Sequence, residues 1–366
     1  MKPRFRWRFK TNPMFQKSFL YFILLSAFVF LLAACAPVSW QQPAWVSAIQ
    51  RPGIDPFVQN QQLGRGINLG NALEAPQEGA WGVTLYEDYF TAIAEAGFQH
   101  VRVPIRWNAH ALAVPPYTID PDFFDRIDWV VEQATKNHLL VVLNIHHYEE
   151  MFIDHRGSKV RFLALWQQIA EHYADAPDTV LFELLNEPHD GLTSFAWNEM
   201  LPDVIAAIRP SNPTRNLIVG PGNWYNVSQL YTLTLPKEDK HLIVSVHYYE
   251  PFHFTHQGAD WVSGSSAWLG TTWTGTNLEQ RNVESDLGKA ARWGKENGRP
   301  LYLGEFGAYS RADMDSRVQY TAAVARTAEN LGMSWAYWEF GAGFGAYERG
   351  TGKWKAELLG ALVPAE

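Results

Sequence analysis

Apolar residues recur along this chain in short runs, and the runs are separated by segments of helical spacing. The runs fall near Gly64–Leu69, His100–Ile105, Leu139–Ile145, Val180–Leu185, Asn216–Val219, Leu242–Val246, Leu301–Gly304 and Met333–Trp338. Each is short and nearly continuous, as expected of a strand buried on both faces. Between them the period changes. Asp120-Pro121 reads as an N-cap followed by proline in the first turn, and Phe123, Ile127, Val130, Val131 and Ala134 share one face. Phe162, Trp166, Ile169 and Tyr173 form a second such face, and Val318, Thr321, Ala322 and Ala325 a third. The segment after the fifth run has no clear helical pattern. Eight strand–helix units over roughly 310 residues predict a (β/α)8 TIM barrel, a single catalytic domain. A doubly wound open sheet is the alternative. It needs a glycine-rich phosphate turn that opens a helix after the first strand. Gly64-Arg65-Gly66, followed by Gly70, lies within the run instead.

The pattern differs before residue 56. Residues 1–17 are basic, and Phe19 to Ala34 is almost wholly apolar, the layout of an export signal. The apolar run is about sixteen residues, short of the ~20 that span a bilayer comfortably. It ends in Leu32-Ala33-Ala34-Cys35, which resembles the lipobox of bacterial lipoprotein signals, and Cys35 is the only cysteine of the chain. The resemblance implies cleavage before Cys35 and lipid attachment to it. An uncleaved anchor or a plain secretory signal are the alternatives. We therefore read 1–34 as a signal peptide, 35–55 as a lipidated tether rich in Pro, Gln, Ser and Ala, and 56–366 as the barrel. The expected location is the bacterial cell envelope.

Composition adds two constraints. The formal charge is −8, and removing the six cations of residues 1–34 (Lys2, Arg4, Arg6, Arg8, Lys10 and Lys17, with no acid among them) leaves −14. So acidic a body argues against nucleic acid as a partner and favours a neutral substrate. Aromatic residues reach 14%, with 16 Trp, which suits either sugar-stacking surfaces or a Trp-rich core.

The candidate chemistry sits where the runs end. The fourth run, V-L-F-E-L-L-N-E-P, stops in Asn186, Glu187 and Pro188, because proline cannot donate to a ladder. The seventh delivers a lone glutamate, Glu305. The first run is followed by Asn71 and Glu74, the second carries Arg102, the third ends in His146-His147-Tyr148, the sixth in His247-Tyr248-Tyr249, and the eighth contains Trp338. Barrel enzymes keep their chemistry at the carboxyl ends of the strands. Seven strands sharing such endings are hard to attribute to packing, since buried charge is costly unless paired.

With these residues in view the sequence resembles glycoside hydrolase family 5, the cellulase and mannanase family, over roughly Asp55 to Leu362. The resemblance rests on N-E-P at 186–188, G-E-F-G at 304–307, H-H-Y at 146–148, H-Y-Y at 247–249, Arg102 in V-R-V-P and W-E-F at 338–340. G-R-G-I-N-L-G-N-A-L-E at 64–74 and F-T-H-Q-G-A-D-W at 254–261 are closer still to thermophile-type bacterial endoglucanases of that family, some of which also cut mannan. It implies Glu187 as acid/base and Glu305 as nucleophile, with supporting roles for Arg102, His146, Asn186, His247, Tyr249 and Trp338.

The residue chemistry is coherent with this. Retaining cleavage of a glycosidic bond needs two carboxyl groups about 5–5.5 Å apart, one protonated and one ionised. Arg102 and Tyr249 can hold Glu305 as the anion, and burial with a neighbouring negative charge can keep Glu187 protonated. Asn186 can bind the sugar 2-hydroxyl. His146, His147 and His256 can meet an axial hydroxyl, Trp261 can stack on sugars beyond the cleaved bond, and Asn71 with Glu74 can bind hydroxyls on the non-reducing side. Glu149, Glu150 and Glu339 read as structural. A shared metal is disfavoured because His146 and His147, adjacent on a strand, face opposite ways. We expect a monomeric retaining endo-β-1,4-glucanase without cofactor that prefers glucan and also accepts β-1,4-mannan. The alternatives are mainly a mannanase or xyloglucanase, or a non-catalytic carbohydrate-binding lipoprotein.

Overall fold

A computed structural model describes residues 53–365; the signal and most of the tether, Cys35 included, lie outside the described residues. Eight parallel strands close into a barrel in sequence order. They are β1 (Arg65–Asn68), β2 (His100–Val103), β3 (Leu140–Asn144), β4 (Val180–Glu183), β5 (Leu217–Val219), β6 (Leu242–Tyr248), β7 (Leu301–Phe306) and β8 (Ser334–Tyr337). Every strand coincides with one of the eight apolar runs. Three differ usefully from the expected bounds. β4 stops at Glu183, so Asn186 and Glu187 stand beyond its end, whereas β6 and β7 each run two residues further than expected and carry His247 and Glu305 within the strand.

The folded body begins slightly earlier than expected. Asp55 caps the helix Pro56–Leu63 through its carboxylate, and the Ile54 carbonyl accepts from Asn216. That helix closes the amino-terminal end of the barrel. Its Leu63 packs with Val142, Leu181, Ile218, Ile243, Tyr302 and Ala336 into one buried cluster, the floor of the barrel interior. Its Asn60 donates to the Leu301 carbonyl and accepts from Ser334.

Side chains two apart on a strand share a face, so the next interior layer can be read from the sequence. It contains Asn68, Arg102, Asn144, Glu183 and Ser245, all fully buried. Barrel interiors are normally filled by layers of branched aliphatic residues. Here the floor is mainly aliphatic, with the buried His100 bonded to Tyr302 and the Leu63 carbonyl, and the layer above it is polar.

Helices wrap the outside. The helix Pro121–Lys136 is capped by Asp120 and buries Phe123, Ile127, Val130, Val131 and Ala134, as the periodicity requires. The helix His155–His172 buries Phe162, Trp166 and Ile169. The helix Met314–Asn330 is rotated from expectation. Val318 and Ala322 are only half-buried, and the packed face runs through Arg317, Tyr320, Thr321, Val324, Ala325 and Ala328. Arg317 lies on this packed face, where its buried guanidinium donates to the carbonyls of Ala308 and Phe344. Between β5 and β6 there is only a 3-10 turn, Val227–Thr232, which accounts for the missing pattern there. Among the described residues no helix is long and apolar enough to cross a membrane.

Candidate active site

The site forms at the carboxyl ends of the strands, above the polar layer. Asn186 remains tied to the barrel through its N–H to the Ile145 carbonyl. The chain then turns at Glu187, whose φ of 45° is in the left-handed region. Such a conformation costs a non-glycine residue about 1–3 kcal/mol and persists only where its surroundings enforce it. They do so here: Trp224 N–H donates to the Pro188 carbonyl, and His189 Nδ1 lies 2.5 Å from the carbonyl of Glu187. The turn swings the Glu187 carboxyl over the barrel mouth, where Oε1 meets His247 Nδ1 at 2.6 Å.

Glu305 arrives by a different device. With Tyr302 and Gly304 facing inward, strict alternation would turn Glu305 outward. The β6–β7 register slips by one residue at this point, from Val246 opposite Leu303 to His247 opposite Glu305. This bulge at Gly304 re-aims Glu305 into the barrel. Glycine is required there, because a Cβ would sit 2.7 Å from Ser245 Oγ and 3.0 Å from His247 Nε2.

Arg102 organises what lies beneath. Its Nη1 donates to Glu305 Oε1 at 2.6 Å and to Asn68 Oδ1 at 2.8 Å, its Nη2 to Asn186 Oδ1 at 2.8 Å, and its Nε to Glu183 Oε2 at 2.5 Å. Tyr249 donates to the other oxygen of Glu305 at 2.9 Å. One oxygen each of Glu187 and Glu305 and a ring nitrogen of His247 lie within 4.8 Å of one another. Such spacing alone could accommodate a metal ion. The donor set does not suit one: Glu305 is already ion-paired to a fully buried guanidinium, and His247 Nδ1 is hydrogen-bonded to Glu187.

Burial dominates the electrostatics. It pushes the Glu187 carboxyl up to about 7, against the pull of Arg102 and His189. It raises Glu305 as well, but there the Arg102 guanidinium and the hydrogen bond from the Tyr249 hydroxyl favour the anion. Burial lowers His247 to about 4, with Glu305 opposing, so the ring is neutral near pH 7. The arrangement can therefore hold one proton on Glu187 and one negative charge on Glu305.

The remaining candidates fall into separate groups. His146 is buried, bonded through Nδ1 to Asn144, and stacked parallel to Trp338 with ring centres 5.5 Å apart. His147 is half-buried beside it, edge-on to Trp81. His256 stacks on Phe252 at 4.1 Å and meets Tyr249 edge-on at 5.0 Å. Trp261 is 62% exposed and rests on Tyr309. Glu74 is placed differently from expectation. It is 1% exposed, and both its oxygens accept backbone N–H groups of its own turn, from Asn71 and Ala72. The carboxyl shapes the turn that presents Asn71, whose side chain is half-buried, instead of reaching for substrate. Burial raises it to about 8. Glu339 is likewise buried under the N–H groups of Gly341, Ala342 and Phe344.

Several residues of the site escaped the sequence reading. Glu183 and Asn144 lie inside apolar runs, and only their parity with Glu187 and His146 signals that they face the barrel axis. Trp81 and Trp224 lie on loops, 43% and 48% exposed. Trp224 belongs to a run of left-handed residues, Asn223 to Tyr225, and its ring stacks on His189 at 3.6 Å. No sequence signal marks that turn.

Residues 64–343 match the sequence profile of cellulase, glycosyl hydrolase family 5. Endoglucanase H of Acetivibrio thermocellus is 35% identical over 316 residues, covering 84% of this chain and 34% of that protein. Cellulase/esterase CelE of the same organism is 31% identical over 297 residues, covering 75% of this chain and 35% of that protein. This chain thus spans about a third of the length of either relative. The structure of Thermotoga maritima Cel5A in complex with mannotriose is 50% identical, with a TM-score of 0.83, covering 84% of this chain and all of that one. The same values hold for Cel5A in complex with cellobiose.

Proposed function

Because this chain belongs to glycosyl hydrolase family 5, we propose that it is a retaining endo-β-1,4-glucanase acting by double displacement. The observation that carries this reading is the pair of carboxyl oxygens within 4.8 Å, one held by Arg102 and Tyr249, the other raised by burial. That closeness suits direct attack by one carboxylate on the sugar, as in retaining enzymes, whose two carboxyl groups lie about 5–5.5 Å apart.

In the first step the Glu305 carboxylate attacks the anomeric carbon and the glycosidic C–O bond breaks. Glu187 gives its proton to the departing oxygen, leaving a glycosyl ester on Glu305. In the second step Glu187, now a carboxylate, takes a proton from water. The water oxygen bonds to the anomeric carbon, the ester breaks, and Glu305 is regenerated. Arg102 and Tyr249 keep the same two hydrogen-bond directions on Glu305 throughout, so little reorganisation is needed as its charge is lost and regained. Asn186, fixed by Arg102, faces the sugar 2-hydroxyl, and Trp338, backed by His146, floors the sugar whose bond breaks.

We extend the proposal to β-1,4-mannan as a second substrate. Glucose and mannose differ in the orientation of the 2-hydroxyl, and His146 and His147 offer further polar partners for it besides Asn186. The solved complexes of Cel5A with mannotriose and with cellobiose support this reading. Paired kinetics on barley glucan and glucomannan test it. A mannan rate below about one part in a thousand of the glucan rate, equivalent to ~4 kcal/mol of discrimination, would overturn dual use.

For location we propose export and lipidation at Cys35, with the enzyme acting as a monomer. The basic–apolar–Leu-Ala-Ala-Cys order supports it. Cys35→Ser abolishes labelling by radioactive palmitate on this reading, and a wild type that takes up no label refutes it.

A further inference from the structure

Glu183 is fully buried in β4, four residues before Glu187, and faces the barrel axis. Its Oε2 accepts from Arg102 Nε at 2.5 Å and from Asn144 Nδ2 at 3.3 Å. This contact fixes the one guanidinium edge that does not point at the site. With Nε held from below, the plane of the fork is set, and Nη1 and Nη2 must face Glu305 and Asn186. Arg102 is fully buried, and its direct ion pairs are with Glu183 and Glu305. A single buried guanidinium facing only the two reacting carboxyls would favour both as anions and so weaken the acid's hold on its proton.

We propose that Glu183 is a positioning residue for the reaction, aiming Arg102 at Glu305 and Asn186 and offsetting the cation so that Glu187 keeps its proton. The inference rests on the function proposed above. The titratable and charged groups surrounding Glu183 are consistent with it. They are Arg102 from β2, His146 beyond Asn144 on β3, His247 from β6, Tyr302 and Glu305 from β7, Tyr225 from the β5–β6 connection and Glu187 beyond its own strand. Both histidines are driven neutral by burial, and Tyr225 and Tyr302 are held in the phenol form, also by burial. Arg102 is therefore the one cation among them. Glu183 adds to the forces that raise the Glu187 carboxyl.

Two substitutions separate the roles. Glu183→Gln keeps an oxygen for Arg102 Nε but removes the charge. Removing a nearby anion makes ionisation of Glu187 easier, so its pKa falls and the alkaline limb of kcat/KM moves to lower pH, by about one unit. Glu183→Asp keeps the charge but withdraws its reach by one methylene. Its alkaline limb stays in place, while kcat falls at least about tenfold as the fork is released. An alkaline limb unmoved in a folded Gln variant overturns the charge role, and a wild-type kcat in the Asp variant overturns the aiming role. If the Gln variant does not fold by circular dichroism, the Asp variant decides: a limb in place with reduced kcat supports the proposal, and a displaced limb or an unchanged kcat refutes it. A wild type without activity on barley glucan would count against the proposed function itself, not against Glu183.

Discussion

Two adjacent layers of the barrel interior are built to opposite rules. The floor is Val142, Leu181, Ile218, Ile243, Tyr302 and Ala336 over Leu63, a mainly apolar layer with no ion pair, in which the buried His100 is hydrogen-bonded to the Tyr302 hydroxyl and the Leu63 carbonyl. One step along the strands, Asn68, Arg102, Asn144, Glu183 and Ser245 occupy an equally buried space with polar groups and an ion pair. Burying a side chain such as Leu or Ile stabilises by about 1.5–3 kcal/mol. A buried ion pair of this kind is often no better for stability than well-packed apolar residues. The upper layer therefore sacrifices stability that the floor retains. What it gains is a fixed array of donors beneath Glu187 and Glu305.

The largest expected contrast comes from the site itself. Glu305→Gln keeps the shape but removes the attacking charge, so turnover on barley glucan falls by about 10⁴-fold or more while circular dichroism is unchanged. Glu187→Ala should fall by about 10²–10⁴-fold on glucan. An aryl glycoside with a good leaving group needs less protonation, so it retains more of its rate, and added azide speeds breakdown of the intermediate because it needs no general base. Absence of any azide effect would falsify Glu187 as acid/base.

The floor should respond in the other currency. Leu181→Ala removes apolar volume from the fully buried cluster and should cost about 2–5 kcal/mol in denaturant unfolding. Turnover per folded molecule should stay within about twofold, because no site residue loses a partner. A drop in turnover as large as that of Glu187→Ala would mean that the two layers are not separable.

Much of this was legible in the sequence, for a physical reason. Strands buried on both faces read as continuous apolar runs, so all eight were visible and the polar residues at their ends stood out. Inside a run the same logic hides function. Glu183 and Asn144 interrupt their runs singly, and only their parity with Glu187 and His146 distinguishes them from residues facing a helix. The inward turn of Glu305 depends on the β-bulge at Gly304, which alternation alone does not reveal. Glu74 looked available because it follows a strand, yet its loop folds back so that its carboxyl serves Asn71 and Ala72. The packed face of the helix Met314–Asn330 differs from its apolar spacing because it includes a buried Arg317, a residue type that hydrophobic periodicity does not count.

A smaller effect sharpens the comparison through pH. Burial places the Glu187 carboxyl at about 7, and an acid catalyst works only while it holds its proton. Activity should therefore decline as pH rises through about 7, and kcat/KM on glucan should show its alkaline limb there. A limb at the ordinary carboxylate value would mean that the polar layer does not hold that proton.

The most direct measurement is to trap the covalent intermediate with a 2-fluoro β-glycoside carrying an activated leaving group and to locate the label by peptide mass spectrometry. The result expected is a single glycosyl ester on Glu305, with the product of the unmodified enzyme released in the β-configuration by proton NMR. A label on any other residue, or a product of inverted configuration, would contradict the assignment of Glu305 as the nucleophile held by Arg102 and Tyr249.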